Sequence, residues 1–278
     1  MIFSRLHGRL GNQMFQYAIG RGLALDHKVP LLLDSRPIDN AVAQLFMFDI
    51  QAEVADETIL PPDRNQRIPY ILWRYFGGEP QFCRERTLGY MKAAEQFSDN
   101  IYLHGYWQCE KYFTRYQAQI RQDLTLKAAP SGQNAKMLDR ICNCNAVSIH
   151  VRRGDYITDK SYQTCDLGYY ETALQHVVDT TGKDPVVFIF SDDPKWVYDN
   201  LDVPFERVVV NINDGDHGYE DMRLMAHCQN NIIANSSFSW WGAWLNTAPD
   251  KIVVAPKKWF ANPKMFNPDI TPKSWVRL

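Results

Sequence analysis

Two arginines stand side by side at the end of an apolar run: AVSIHV (146–151) leads into Arg152 and Arg153, then Gly154 and Asp155. A guanidinium stays charged at any working pH, and its planar fork of donors suits a diphosphate. Strand residues point to alternate faces, so His150 and Arg152 fall on one side and Arg153 on the other. A second anion-binding pattern is Ser236-Ser237 in ANSSFSWWGAWLN (234–246), where a strand turns into a helix. Hydroxyls and free backbone N–H groups meet the positive end of a helix dipole there. In FSDDP (190–194) one of Asp192 and Asp193 is explained as a helix N-cap ahead of Pro194, and positioning the arginines is open to the pair. Glu220 and Asp221 open a helix, where acids complement the dipole. An aspartate turned to a ligand would instead accept the two N–H donors of a guanine edge, a pattern adenine does not offer. In GRLGNQMFQYA (8–18), Gly8 and Gly11 flank a turn and allow close backbone approach to a ligand.

The elements that must position these residues are clearest in the second half. AVSIHV, VVFIF (186–190), RVVVNI (207–212), NNIIA (230–234) and KIVVAP (251–256) read as strands. Between them lie helices at LGYYETALQHVVDTTG (167–182), PKWVYDNL, YEDMRLMAHC (219–228) and SSFSWWGAWLN. Short apolar strands separated by single helices predict a parallel, doubly wound sheet, whose ligands sit at the carboxyl ends of the strands. In the first half, IFSRL (2–6), a helix near GNQMFQYAIGRGLALDH and VPLLLD (29–34) suggest another α/β unit. Residues 35–100 read as irregular or helical, and KAAPSGQNA (127–135) reads as the linker.

Composition narrows the class. The chain has 278 residues, 45% of them hydrophobic and 22% charged, with a formal net charge of −2. That is an ordinary soluble globular balance, without the basic excess of a nucleic-acid binder. Arg5, His7 and Arg9 interrupt the first residues, so neither a signal peptide nor a membrane anchor is expected. The six cysteines show no zinc-like pairing and read as reduced, in a cytosolic protein. The Asn235-Ser236-Ser237 sequon reads as a chance match. Eight Trp, 14 Tyr and 14 Phe serve either a large core or sugar stacking. No Walker-A or GxGxxG pattern occurs, so arginines would have to hold a diphosphate.

GRLGNQMFQYA, HVRRGDY, FSDDPKWV and NIIANSSFSWWGAWLN, in that order and across nearly the whole chain, resemble the bacterial α-1,2-fucosyltransferases, glycosyltransferase family 11. The resemblance implies an α/β, GT-B-like fold of two Rossmann-like domains facing a cleft. Residues 1–130 would form the N-terminal, acceptor-side domain and 131–278 the C-terminal domain that binds GDP-fucose. It implies inversion at the fucose anomeric carbon, a terminal β-galactoside acceptor and no required metal or other cofactor. Arg152 would hold the diphosphate, His150 and Asp221 the guanine, Ser236 and Ser237 the phosphates, with Asn12 near the reacting sugar. Gly11, Arg153, Asp192 and Phe238 complete the implied donor-binding set. The setting implied is a bacterial cytoplasm, with fucose added to lipid-linked O-antigen or capsular units and peripheral contact with a membrane-bound glycolipid at the inner membrane.

The proton acceptor is the weakest signal. A related family has a glutamate base where this chain has Lys160, and Asp159 is the nearest carboxylate beyond the arginine motif. Asp155 competes, although its position suits a structural partner of the arginines. Two rivals remain: a metal-dependent GT-A transferase using Asp214-Gly215-Asp216 as a DxD, and a lectin-like module binding glycans through aromatics. A lectin has no need of strand-end arginines.

Overall fold

Short apolar runs become parallel strands throughout the chain, because a strand buried on both faces has no polar side to show. The computed structural model describes residues 1–36, 42–63 and 65–278. They divide into two units: Met1–Lys127 with Asn267–Ile270, and Ala128–Phe266 with Thr271–Leu278.

The first unit carries β1 (Ile2–Arg5), α1 (Leu10–His27), β2 (Leu31–Asp34), α2 (Val42–Leu45), β3 (Glu53–Val54), α3 (Arg67–Phe76), β4 (Gln81–Arg84), β5 (Ile101–His104) and α4 (Gln117–Asp123). Its strands are all parallel, in the order β3-β2-β1-β5-β4. Helix α1 lies close on this sheet: a Cβ at Gly20 would come within 2.7 Å of the Leu31 side chain. The stretch 35–100 is therefore not only irregular or helical. It contributes β3 and β4, which escaped notice because β3 has two residues and β4 is a half-exposed edge strand. Residues 37–41 and 64 of that stretch lie outside the described residues. The segment Asn267–Ile270 is tied into this unit: Asn267 Nδ2 donates to the Gln108 carbonyl at 3.0 Å, and Asp269 accepts from Tyr90 N at 2.9 Å and pairs with Lys111.

The second unit carries α5 (Gly132–Cys142), β6 (Ala146–Val151), α6 (Leu167–Thr181), β7 (Val186–Ser191), α7 (Pro194–Asn200), β8 (Arg207–Val210), α8 (Gly218–His227), β9 (Asn230–Ile232), α9 (Ser237–Leu245), β10 (Val253–Ala255) and β11 (Val276–Arg277). The order β11-β10-β9-β6-β7-β8, parallel throughout, is the doubly wound arrangement with its reversal between β6 and β9. Helix α5 starts at Gly132, so the end of the expected linker is helical. Val147, Ile149 and Val151 pack with Tyr170, Leu174 and Val197 on one face; Ala146, Phe188 and Phe190 pack with Ile141, Leu224 and Met225 on the other. That alternation assigns His150 to the face of α8. A buried polar bridge ties the layers together: Asn231 Nδ2 donates to Ser148 Oγ at 2.7 Å and to the Met225 carbonyl at 2.8 Å. Trp240, Trp241 and Trp244 are buried against one another, so these aromatics are core. All six cysteines are free thiols. Asn235 is 1% exposed, with its amide donating to the carbonyls of Gln163 and Trp259, which closes the sequon to glycosylation.

Candidate active site

The second sheet brings β6 and β9 side by side at its reversal, and both run out into the residues singled out above. Beyond β6, Arg152 is held at its two terminal nitrogens by carboxylates, Nη1 by Asp192 Oδ2 at 2.7 Å and Nη2 by Asp155. Its guanidinium carbon lies 5.2 Å from the Tyr156 ring centroid, and the side chain is largely buried. Asp192 also accepts from Arg153 N at 2.9 Å, and a Cβ at Gly154 would come within 2.4 Å of its Oδ2, so a larger residue there would displace the Asp192 carboxylate. The neighbouring Asp193 caps α7 by accepting from Trp196 N. Asp193 is thus the cap, and each aspartate also pairs with one of the arginines. Arg153 does not join Arg152: its guanidinium lies 3.9 Å over Trp196 and its Nε 3.3 Å from Asp193 Oδ2. Arg153 lies beyond the last residue of β6, with its backbone already turning into the following 3-10 turn, and its guanidinium rests against α7.

His150 is 5% exposed and its ring lies 5.7 Å from that of Phe238. Burial, followed by the Arg152 charge, pushes its pKa down to about 3, so it is a neutral imidazole. Its Nδ1 is buried without a hydrogen-bond partner. Such a group is costly to bury unless something pairs with it. Past β9, Ser236 is buried and caps α9, its Oγ accepting from Phe238 N at 3.3 Å. Ser237 is the first helical residue and is half-buried. The helix N-terminus thus follows the strand beside the one that leads to Arg152.

Asp221, in the first turn of α8, accepts from Asn213 Nδ2 at 2.7 Å, and Asn213 exchanges amide hydrogen bonds with Asn134 of α5 at 2.8 and 3.0 Å. Burial pushes its carboxyl up to about 7; the Asn213 donor opposes the shift and the Glu220 charge adds to it. Asn134 and Asn213 were not legible as partners, because an amide pair between a helix and a distant loop leaves no local spacing.

The loop after Arg152 is a short 3-10 turn, Gly154–Ile157. Asp159, exposed, accepts from Ser161 N at 2.8 Å. The Tyr156 hydroxyl donates to the Asn235 carbonyl at 3.1 Å and its ring stacks on Tyr162, which docks this loop against the turn before α9. Asp214 of the DxD is committed to a surface turn, its Oδ1 accepting from Asp216 N and His217 N and facing His217 Nδ1 at 2.6 Å.

Gly11 and Asn12 belong to the other unit and are described with it. At the carboxyl end of β1, Gly8 has a φ of 75°, and a Cβ there would meet Asn12 Nδ2 at 2.6 Å. Gly11 is buried in the first turn of α1. Gln108 Nε2 donates to Asn12 Oδ1 at 2.9 Å, which sets the direction of the Asn12 amide. Glu85, after β4, accepts from Tyr106 N at 2.7 Å and Trp107 N at 3.0 Å and so holds the loop that carries Gln108. Burial pushes Glu85 up to about 7 against those two donors. His7 stacks with His104 and packs against Tyr106; burial, then the Arg5 charge, lowers His7 to about 4, and burial, then His7, lowers His104 to about 4. Gln108 and Glu85 follow strands that were not recognised, and that hid them.

Comparison with known proteins now decides the family. The family model described as glycosyl transferase family 11 matches residues 2–278. The chain belongs to glycosyltransferase family 11. Among relatives of this family-11 chain, the O-antigen biosynthesis glycosyltransferase WbnK of Escherichia coli is 33% identical, with 100% of each chain covered. The alpha-1,2-colitosyltransferase of Escherichia coli is also 33% identical, over 100% of this chain and 99% of that one. The crystal structure of the NodZ alpha-1,6-fucosyltransferase soaked with GDP-fucose superposes with a TM-score of 0.56 at 17% identity, covering 91% of this chain and 94% of that one. Family 11 thus makes the chain a glycosyltransferase, and its two Rossmann-like α/β units are of the GT-B kind.

Proposed function

We propose that the chain is an inverting α-1,2-fucosyltransferase, moving fucose from GDP-β-L-fucose to the 2-OH of a terminal β-galactoside on a glycan or a lipid-linked oligosaccharide. The observation that carries this reading is the guanidinium of Arg152, held at the sheet's reversal next to the strand that leads to the N-terminus of α9. In this reading the acceptor hydroxyl attacks the fucose anomeric carbon as the bond to the β-phosphate breaks, and GDP leaves on the opposite side. Negative charge grows on the β-phosphate, and fixed donors aimed at it lower the barrier. Arg152, the α9 amides and the Ser236 and Ser237 hydroxyls supply them. Asp155, half exposed, yields its position on Arg152 to the phosphate.

Guanine falls to His150, whose neutral ring carries one donor and one acceptor, and to Asp221, with Phe238 as an apolar wall. Asp192 acts through Arg152 as a positioning residue. Asp159 takes the acceptor proton, as the nearest carboxylate beyond the arginine motif, with Asp155 as its competitor. Gly11 and Asn12 serve the reacting sugar from the first unit. The fixed Arg152 cation together with the α9 amides makes a divalent ion unnecessary, so full activity is expected in excess EDTA; loss on chelation restored by manganese would favour the GT-A rival. A lipid-linked acceptor implies work at the cytoplasmic face of a membrane.

The full-length relative named for colitose makes GDP-colitose the competing donor. Incubation with GDP-fucose or GDP-colitose and a panel of β-galactosides, followed by linkage analysis, tests the reading. An α-1,2-fucosylated product is expected. Transfer from GDP-colitose alone, or a different linkage, would overturn it.

A further inference from the structure

Helix α3 presents two apolar faces. Tyr70 and Trp73 pack inward with Phe3, Leu32 and Tyr102. On the other side Ile68, Ile71, Leu72, Tyr75 and Phe76 are exposed, from 49% for Ile71 to 79% for Phe76. At 3.6 residues per turn these five cover roughly 140° of the circumference. Scattered exposed apolar residues need no explanation, but a continuous stripe on one helix marks a surface that meets something. Its rim is cationic. Arg67 and Arg74 lie at one edge of the stripe, and no carboxylate occurs between Arg67 and Phe76. Arg74 lies 5.0 Å over Phe82 of β4, and the same edge strand leads to Arg84 and Arg86, which line a cavity of about 530 Å³ with Lys92.

From this we infer that α3 is a membrane-docking helix, which lays its outer apolar stripe into a bilayer surface bearing anionic headgroups while Arg67 and Arg74 engage the phosphates. An apolar stripe edged by arginine on a short helix is the pattern of an element that lies in the interface rather than crossing it. Among the described residues no helix is long and apolar enough to cross a membrane. The charge pattern separates a bilayer from a second copy of the chain. An antiparallel two-fold contact through this stripe would bring the arginine edges of both copies together, with no carboxylate on the helix to receive them. Docking deepens the reading of a lipid-linked acceptor, but it is measured without any substrate.

The test is co-sedimentation of the full chain with phosphatidylcholine vesicles, with and without phosphatidylglycerol. Binding is expected only to the anionic vesicles and should weaken as salt is raised. Loss of one rim arginine, Arg67→Gln, should weaken binding roughly fivefold. Phe76→Ser should weaken it roughly tenfold or more. Both residues are exposed, so the variants should keep the parent's thermal midpoint and its transfer to a soluble acceptor; lost transfer with retained docking would instead count against the proposed activity. No binding to anionic vesicles, or binding that ignores both substitutions, would overturn the inference. A dimer in light scattering that Phe76→Ser dissociates would overturn it too, by giving the stripe to a second copy.

Discussion

The carboxyl edges of the two parallel sheets differ in chemistry. The edge of β6 and β9 gathers a guanidinium, a helix N-terminus and an imidazole with an unpaired buried nitrogen. The edge of β1 and β5 gathers amides, Asn12 on Gln108 and Gln16 on His7, around two imidazoles held neutral by burial. In the proposed reading the first edge takes the anion and the second, with its amides and neutral imidazoles, meets the sugar through hydrogen bonds. Parallel α/β folding delivers loops to the same edge each time, and the residues on them decide what binds.

Breaking the charged edge should have the largest effect. Arg152→Ala is expected to lower transfer about a thousandfold, the upper range for loss of one transition-state donor. Arg152→Lys should recover little, because a point charge does not replace the fork. Near-normal turnover by folded Arg152→Ala protein would erase the distinction between the edges. Next comes the proton. Asp159→Asn should lower kcat on the order of a hundredfold while GDP affinity holds. A fall below about fivefold would take the role from Asp159 and move the search to Asp155 and to the first unit, where Glu85 is a half-buried carboxylate.

Asp221 gives a smaller, pH-dependent effect. Only its ionised form accepts two N–H donors, so calorimetric GDP affinity should weaken as pH falls below about 7, by up to roughly tenfold per unit. Asp221→Asn should flatten that profile. The sign for stability is opposite. A carboxyl raised in the folded state costs nothing below its unfolded pKa and costs most above about 7, so Asp221→Asn should melt higher than the parent at alkaline pH and equally in acid. If affinity for GDP and ADP is equal and flat with pH, Asp221 does not read the base. The smallest effect sharpens the neutral edge. Gln108→Ala should lower kcat about two- to tenfold, the worth of one orienting hydrogen bond, with GDP affinity untouched. A change in GDP affinity instead would mean the two edges do not act separately.

What was legible in the sequence follows from how far each signal travels along the chain. β6 and β9 lie in apolar stretches, AVSIHV and NNIIA, so the residues that follow, Arg152 and Ser236, could be located at strand ends at once. Gly182 ends α6 with a φ of 64°, as its position after the helical period predicts. β4 and β3 left no such trace, being an edge strand and a two-residue strand, and Glu85 was lost with β4. Alternation separated Arg153 from Arg152 in the sequence, but its place over Trp196, 43 residues on, is visible only in the fold. Pairings such as Asn134 with Asn213, 79 residues apart, exist only after folding.

The four residues Asn267–Ile270 have a consequence for the genetics of this architecture. They are encoded near the end of the chain yet serve the first unit, bonding the Gln108 carbonyl, Tyr90 N and Lys111. An exchange of modules between relatives at a single crossover near residue 128 would therefore transplant the first unit without its clasp. Chimeras, whether made in the laboratory or by recombination, should tolerate the exchange best when the matching tail segment travels with the front of the gene.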